Sequence, residues 1–96
     1  MTEQDKAYCG DGLAAMIIGE IKPVSTWGGY NVNSIYLSNS TMAKAYCKLK
    51  DLEYVKMHDH KRGTIYEAML YDIFKKDGYE KAKEFFIKTI VEPNGC

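Results

Sequence analysis

The sequence predicts an α+β fold, with a short N-terminal helix, a small antiparallel sheet and a helical C-terminal half. Two observations lead to this prediction. Most of the eight glycines and the single tryptophan precede residue 41, where short alternating apolar segments are typical of a hairpin. After residue 41 glycine becomes rare, and apolar residues recur at helical spacing. A chain of 96 residues is expected to form one domain over 1–96.

The first 40 residues predict a helix followed by a β-hairpin. The helix is expected between Asp11, as its N-cap, and Gly19, as its C-terminal stop. Its apolar stripe consists of Leu13, Met16 and Ile17. Residues 20–26 predict an edge or bulged strand, because their proline cannot donate to a β-ladder. A glycine-rich turn at 27–31 then leads to a returning strand at 33–38.

The next segment predicts a capped helix and a third strand. The polar residues 38–41 favour a helix N-terminus. The apolar stripe of this helix consists of Met42, Ala45, Tyr46 and Leu49. That spacing fails after Leu52, and residues 53–58 alternate instead, which favours a strand.

The C-terminal part predicts two consecutive helices. Thr64 and Glu67 have the spacing of a capping box, and residues 77–80 are expected to end that helix and cap the next at once. The last helix is expected to bury Tyr79, Ala82, Phe86 and Ile90, with Phe85 alongside. Residues 65–74 present an apolar face about 180° wide, which is broader than one packing partner needs. That width suggests a homodimer.

Composition excludes several classes of protein. The 13 basic and 13 acidic side chains give no net charge, which argues against a general nucleic-acid binder. The longest apolar run, residues 13–18, is far shorter than the ~20 residues of a membrane span. The acidic N-terminus lacks the basic region of a signal peptide. The cysteines Cys9, Cys47 and Cys96 are odd in number and widely spaced, as expected of reduced thiols in a cytoplasm.

Motifs that would carry catalysis are weak. His58 and His60 could chelate a metal together with Cys9 or Cys47, but a polar turn is the simpler interpretation of the two histidines. Cys9 precedes a predicted helix, a position that suits a nucleophile, although an idle thiol is the simpler interpretation. Neither GxGxxG nor GxxxxGK[ST] is present. We therefore expect no enzymatic activity, no metal and no cofactor.

Two segments predict binding. The tryptophan of the turn at 27–31 must either cap the core or face a partner, and its glycines permit close approach of a ligand. Residues 44–62 combine cations with tyrosines, so they either form a solvated face or hold a phosphorylated, base-containing ligand. The candidate binding residues are Trp27, Gly29, Tyr30, Asn31, Lys44, Lys48, His58, His60 and Arg62.

The helical pair at 64–91 offers an alternative function, because two helices around a tight turn suggest a helix-turn-helix regulator of transcription. The pattern fits poorly. With Gly78 as the turn glycine, Phe74 stands where a small residue is needed and Glu84 where an apolar one is needed. A packed helical hairpin is the better interpretation, and nucleic acid is not the expected partner.

One spacing resembles a known family. Gly10-x-x-Leu13-x-x-Met16-x-x-Gly19, followed by Trp27-x-Gly29 and by Ile35-Tyr36-Leu37, is similar to the opening of small phage proteins that counter Thoeris immunity by sequestering its cyclic nucleotide signal. The resemblance covers residues 9–37. It implies ligand-binding roles for Trp27, Gly29 and Tyr30. The family's basic residue before the tryptophan is replaced by Val24-Ser25-Thr26, and its tryptophan-rich strand end is absent from 41–96.

The predicted function is therefore that of a small, non-catalytic binding protein. With the resemblance, the sequence suggests a phage or mobile-element inhibitor acting in the host cytoplasm. Such an inhibitor would neutralise a host defence protein by direct contact or capture a small phosphorylated ligand. No membrane partner is expected. The DNA-binding regulator is kept as the alternative.

Overall fold

Four α-helices build the part of the chain that the structure describes. A computed structural model describes residues 2–21 and 38–94. Its helices are α1 (Glu3–Ile21), α2 (Asn39–Lys50), α3 (Asp59–Asp77) and α4 (Tyr79–Phe86). A 3₁₀ turn precedes α3 at Lys56–His58, a π-helical turn follows α4 at Ile87–Val91, and a 3₁₀ turn follows that at Glu92–Asn94. None of these helices is long and apolar enough to cross a membrane.

The predicted α+β class is wrong, because residues 2–21 and 38–94 contain no strand and pack as a small helical bundle. The expected third strand at 53–58 is an extended connection that ends in the 3₁₀ turn at Lys56–His58. Alternation favoured a strand there, but a strand needs a neighbour to pair with, and residues 2–21 and 38–94 provide none. Glu20 and Ile21, which were expected to begin the hairpin, belong to α1. The rest of the hairpin lies outside the described residues.

Helix α1 is about twice as long as the sequence predicts. It begins at Glu3, where the Thr2 hydroxyl accepts the Asp5 N–H at 3.1 Å and the Asp5 carboxylate accepts the Thr2 N–H at 3.3 Å. It then continues through Asp11 and past Gly19, the residues expected to bound it. Glycine favours the end of a helix, but Gly19 lies within a helix that tertiary packing stabilises.

Helix α3 is the centre of the bundle and packs against α1, α2 and α4. The largest fully buried side chains come from all four helices and the π-helical turn: Ile17, Ile18, Met42, Tyr66, Leu70, Phe86 and Ile90. Of the wide apolar face predicted on residues 65–74, Tyr66 and Leu70 are fully buried within the chain, whereas Phe74 is exposed. The homodimer stays a prediction.

After α1, two predicted helix boundaries are confirmed and one is wrong. Ser38 caps α2, with its Oγ accepting the Thr41 N–H at 3.1 Å. Gly78 separates α3 from α4 at a positive φ of 91° that favours glycine, and its N–H bonds the Phe74 carbonyl. The capping box at Thr64 is not formed, because α3 begins earlier, at Asp59. The Thr64 hydroxyl instead donates to the His60 carbonyl at 2.8 Å.

Some predicted core positions are on the surface. Met16 is 59% exposed and Leu49 is 43% exposed, although both belonged to predicted apolar stripes. Met16 lines an apolar groove of about 390 Å³ between α1 and α3, together with Cys9, Gly12, Leu13, Tyr71 and Phe74. Helical spacing identifies which residues share a face, but it does not tell whether another helix covers the whole length of that face.

Candidate ligand-binding cleft

A cleft between α2 and the π-helical turn brings three lysines together. Its main hollow has a volume of about 230 Å³ and is lined by Ala45, Lys48, Leu49, Lys88, Thr89 and Pro93. It continues into a second hollow of about 180 Å³ that adds Thr41 and Lys44 to the lining. We call the two hollows together the lysine cleft. Lys44 and Lys48 are residues that the sequence singled out for binding.

The α2 side of the lysine cleft follows from helical spacing. Thr41, Lys44, Ala45 and Lys48 stand at i, i+3, i+4 and i+7, so they share one face of the helix. Met42 and Cys47 lie on another face and are buried. The same helix thereby supplies core packing on one side and two ammonium groups on the other.

The opposite side of the cleft comes from the π-helical turn Ile87–Val91, which contributes Lys88 and Thr89. Turns of this kind are rare and are often found at functional sites. The Thr89 hydroxyl donates to the Phe85 carbonyl at 2.7 Å and lies 2.6 Å from the Tyr66 hydroxyl. Since its proton is given to Phe85, Thr89 accepts from Tyr66. Burial raises the pKa of Tyr66, so this hydroxyl stays protonated as the donor.

The electrostatics of the lysine cleft favour an anion. No carboxylate is among its described lining residues, and no ion pair within 2–21 and 38–94 engages Lys44, Lys48 or Lys88. The Lys44 ammonium lies 5.2 Å from the centre of the Tyr54 ring, a cation–π contact. Lysine ammonium groups that no carboxylate of the described residues pairs are complementary to phosphate.

Arg62 and His58, also predicted binding residues, lie elsewhere. Arg62 donates through Nη1 to the Glu53 carbonyl at 2.9 Å and to the Cys47 sulfur at 3.0 Å. It therefore fastens the connection between α2 and α3 rather than facing a ligand. His58 is exposed in the 3₁₀ turn before α3 and does not line the lysine cleft.

His60 lines a different cleft, of about 230 Å³, between α1, the start of α2 and α3. Its other lining residues are Gln4, Ala7, Tyr8, Asp11, Asn39, Thr64 and Glu67. We call it the acid cleft, because it contains the two carboxyl groups of Asp11 and Glu67. The fold thus divides the candidate residues of the stretch at 44–62. Lys44 and Lys48 line the lysine cleft, and His60 lines the acid cleft.

The remaining predicted residues, Trp27, Gly29, Tyr30 and Asn31, lie outside the described residues, as does Cys96. Of the other thiols, Cys9 is exposed and Cys47 is buried. Within residues 2–21 and 38–94, no group of three or more histidine, cysteine, aspartate or glutamate side chains is placed to hold a metal ion.

Sequence reasoning missed Lys88 in the lysine cleft and the meeting of Asp11 with Glu67 in the acid cleft. Lys88 is far from Lys44 in the chain, and its neighbours in sequence carry no binding pattern. Glu67 was assigned to a capping box, so its carboxyl was expected at a helix N-terminus. Only the packing of α1 on α3 brings it to Asp11.

Comparison with protein families, with curated proteins and with solved structures found no match for this chain.

Proposed function

We propose that this chain is a small, non-catalytic binding protein that captures a phosphate-bearing ligand in the lysine cleft. The observation that carries the proposal is that Lys48 lines both adjoining hollows, with Lys88 in the main one and Lys44 in the second, and that their described lining contains no carboxylate. Phosphate would take up the charge of these ammonium groups and replace the water around them. The apolar lining from Leu49 and Pro93 suits the uncharged part of such a ligand.

The resemblance of residues 9–37 extends this proposal to a biological role. If it holds, the ligand is a cyclic nucleotide signal of the host, and the chain is a phage or mobile-element inhibitor of host defence. Direct contact with a host defence protein is the other route to the same inhibition. Either route would operate in the host cytoplasm.

The alternative of a DNA-binding regulator built on residues 64–91 has less support. Two lysines of α4 are already engaged by carboxylates, since Lys81 lies 3.6 Å from Glu84 and Lys83 is paired with Glu20. A recognition helix needs its cations free to meet phosphates and bases. The helical pair serves the core instead, through Ala82 and Phe86.

A calorimetric titration tests the proposal with ligands that differ in one feature at a time. We expect adenosine diphosphate, a cyclic dinucleotide and pyrophosphate to bind, and uncharged adenosine not to bind. Affinity for the anions should fall as salt is raised, because the cleft lysines are exposed to screening ions. Equal binding of adenosine and its diphosphate, or no binding of any anion at low salt, would contradict the proposal. A duplex DNA of mixed sequence serves as the probe for the regulator.

A further inference from the structure

The two hollows of the lysine cleft differ in their walls. Leu49 and Lys88 line only the main hollow, whereas Thr41 and Lys44 line only the second. The Leu49 side chain is 43% exposed, so the main hollow offers an apolar surface that the second one lacks. A ligand that fills both hollows is therefore expected to lie in one orientation, with its apolar part beside Leu49.

Of the three lysines of the cleft, Lys48 is the one that lines both hollows. It shares the second hollow with Lys44, one helical turn away on α2, where Cβ atoms are about 5–6 Å apart. It shares the main hollow with Lys88, which comes from the π-helical turn Ile87–Val91. The fold thus provides two adjoining positions for an anion, each with two lysines, and Lys48 belongs to both.

Both positions keep their positive charge. No described carboxylate lines either hollow, and none of the ion pairs within 2–21 and 38–94 involves Lys44, Lys48 or Lys88. The Tyr54 ring, which contacts the Lys44 ammonium, attracts this cation without neutralising it. All three lysines are exposed, so an anion can reach them from solvent.

We infer, as an extension that rests on the proposed function, that the lysine cleft takes an organic diphosphate and that Lys48 contacts both of its phosphates. The two phosphates of such a ligand share a bridging oxygen, so a lysine placed between them can pair with both. The inner phosphate, which carries the organic group, lies at Lys48 and Lys88, because the apolar wall belongs to the main hollow. The outer phosphate lies at Lys48 and Lys44. A monophosphate fills the first position and leaves Lys44 without an anion.

Calorimetric titration of the full chain with adenosine monophosphate and adenosine diphosphate tests the two positions, because these probes differ only in the outer phosphate. We expect the diphosphate to bind about tenfold or more tightly than the monophosphate, since hydrogen bonds to a charged group contribute at least that factor. Equal affinities would overturn the two-position arrangement while leaving phosphate capture itself supported. If neither nucleotide binds at low salt, the proposed function fails, and the diphosphate preference fails with it.

Variants separate the outer position from a general attraction to the more highly charged nucleotide. In Lys44→Gln the preference for the diphosphate should shrink to about threefold or less, with the affinity for the monophosphate nearly unchanged. Lys88→Gln should weaken both nucleotides by a similar factor and so keep the preference. Lys50→Gln is the matched control, because Lys50 is exposed on α2 without lining either hollow. A preference that survives Lys44→Gln, or that falls as far in Lys50→Gln, would refute the assignment.

The shared role of Lys48 has its own test, with pyrophosphate as a probe that carries two phosphates and no organic group. Lys44→Gln and Lys88→Gln should weaken its binding by similar factors, because each removes a partner of one phosphate. Lys48→Gln should weaken it more than either, because both phosphates lose a partner. A loss in Lys48→Gln no larger than in the other two variants would contradict the shared contact.

A direct measurement requires no variant. Phosphorus-31 NMR of adenosine diphosphate should show that both of its phosphorus resonances shift when the unmodified chain is added, since each phosphate meets two lysines. A shift of only one resonance would mean a single anion position and would overturn the inference, whatever the variants show.

Discussion

The buried hydroxyl of Tyr66 donates a hydrogen bond to Thr89 Oγ1 at 2.6 Å, and this bond joins the middle of α3 to the π-helical turn. Tyr66 is fully buried, and its ring stacks on Phe85 with 5.6 Å between the ring centres. The same Thr89 lines the lysine cleft. One interior bond therefore connects the core of the bundle to the proposed binding surface.

Removing the donor of this hydrogen bond should lower the free energy of unfolding less than removing its acceptor. Tyr66→Phe deletes the donor and leaves Thr89 bonded to the Phe85 carbonyl, so we expect a loss of about 1 kcal/mol in the free energy of unfolding. Thr89→Val leaves the Tyr66 hydroxyl buried without an acceptor and should cost about 2–3 kcal/mol. Urea denaturation of both variants measures the difference. Equal losses would mean that the Tyr66 hydroxyl finds another partner.

Charge-reversal variants should distinguish anion binding in the lysine cleft from a general response to the net charge of the chain. Lys48→Glu and Lys88→Glu each put a carboxylate into the cleft and should weaken anion binding by about tenfold or more, since each replaces attraction with repulsion. Lys50→Glu is the matched control, because Lys50 is exposed at the same end of α2 without lining the cleft. Calorimetry with pyrophosphate compares the three. An equal effect of Lys50→Glu would indicate only a general response to net charge.

The lysine cleft also shows which part of the site the sequence could predict. Lys44 and Lys48 could be predicted from the sequence, because their i, i+4 spacing places them on one face of a helix. Lys88 belongs to a turn that the sequence predicts as a continuous helix, and its approach to α2 depends on tertiary packing. His58 and Arg62 are near in sequence but are directed elsewhere, since a charge-rich stretch does not determine which face of the fold each residue joins.

The fold was predictable where signals are local. The Ser38 cap and the Gly78 junction depend on a few adjacent residues, and both were found. The strand expected at 53–58 failed because alternation alone does not supply a neighbouring strand. Helix α1 was expected to be short, whereas Gly10 lies inside it and is required there by the backbone of a helix remote in sequence. Local propensity does not register such a contact, which only the packed structure creates.

The stability of the whole chain should fall as pH rises from about 5 to about 9. Folding raises the pKa of Glu67 from 4.5 to about 8. The protonated carboxyl therefore contributes its full stability below about pH 4.5, and this contribution is lost as the pH rises through about 8. Because the side chain is only half-buried, water screens the effect, and we expect a loss of about 1–2 kcal/mol. Urea midpoints across this range should show it. Glu67→Gln should be nearly flat over the same range, and a wild-type midpoint that rises with pH would contradict the sign.

The two neighbouring glycines of α1 should respond in opposite directions to alanine. Gly10→Ala would place a methyl group 2.0 Å from the Glu67 carbonyl oxygen, so the helices must separate, and we expect a loss of about 2–3 kcal/mol in unfolding free energy. At Gly12 no atom lies within 4 Å of the added Cβ, so Gly12→Ala should gain about 0.5–1 kcal/mol through helix propensity alone. Both substitutions make the same chemical change two residues apart in one helix, so their difference isolates the contact with α3. Thermal or urea unfolding measures the difference: a stabilised Gly10→Ala would show that α1 does not approach the Glu67 backbone so closely.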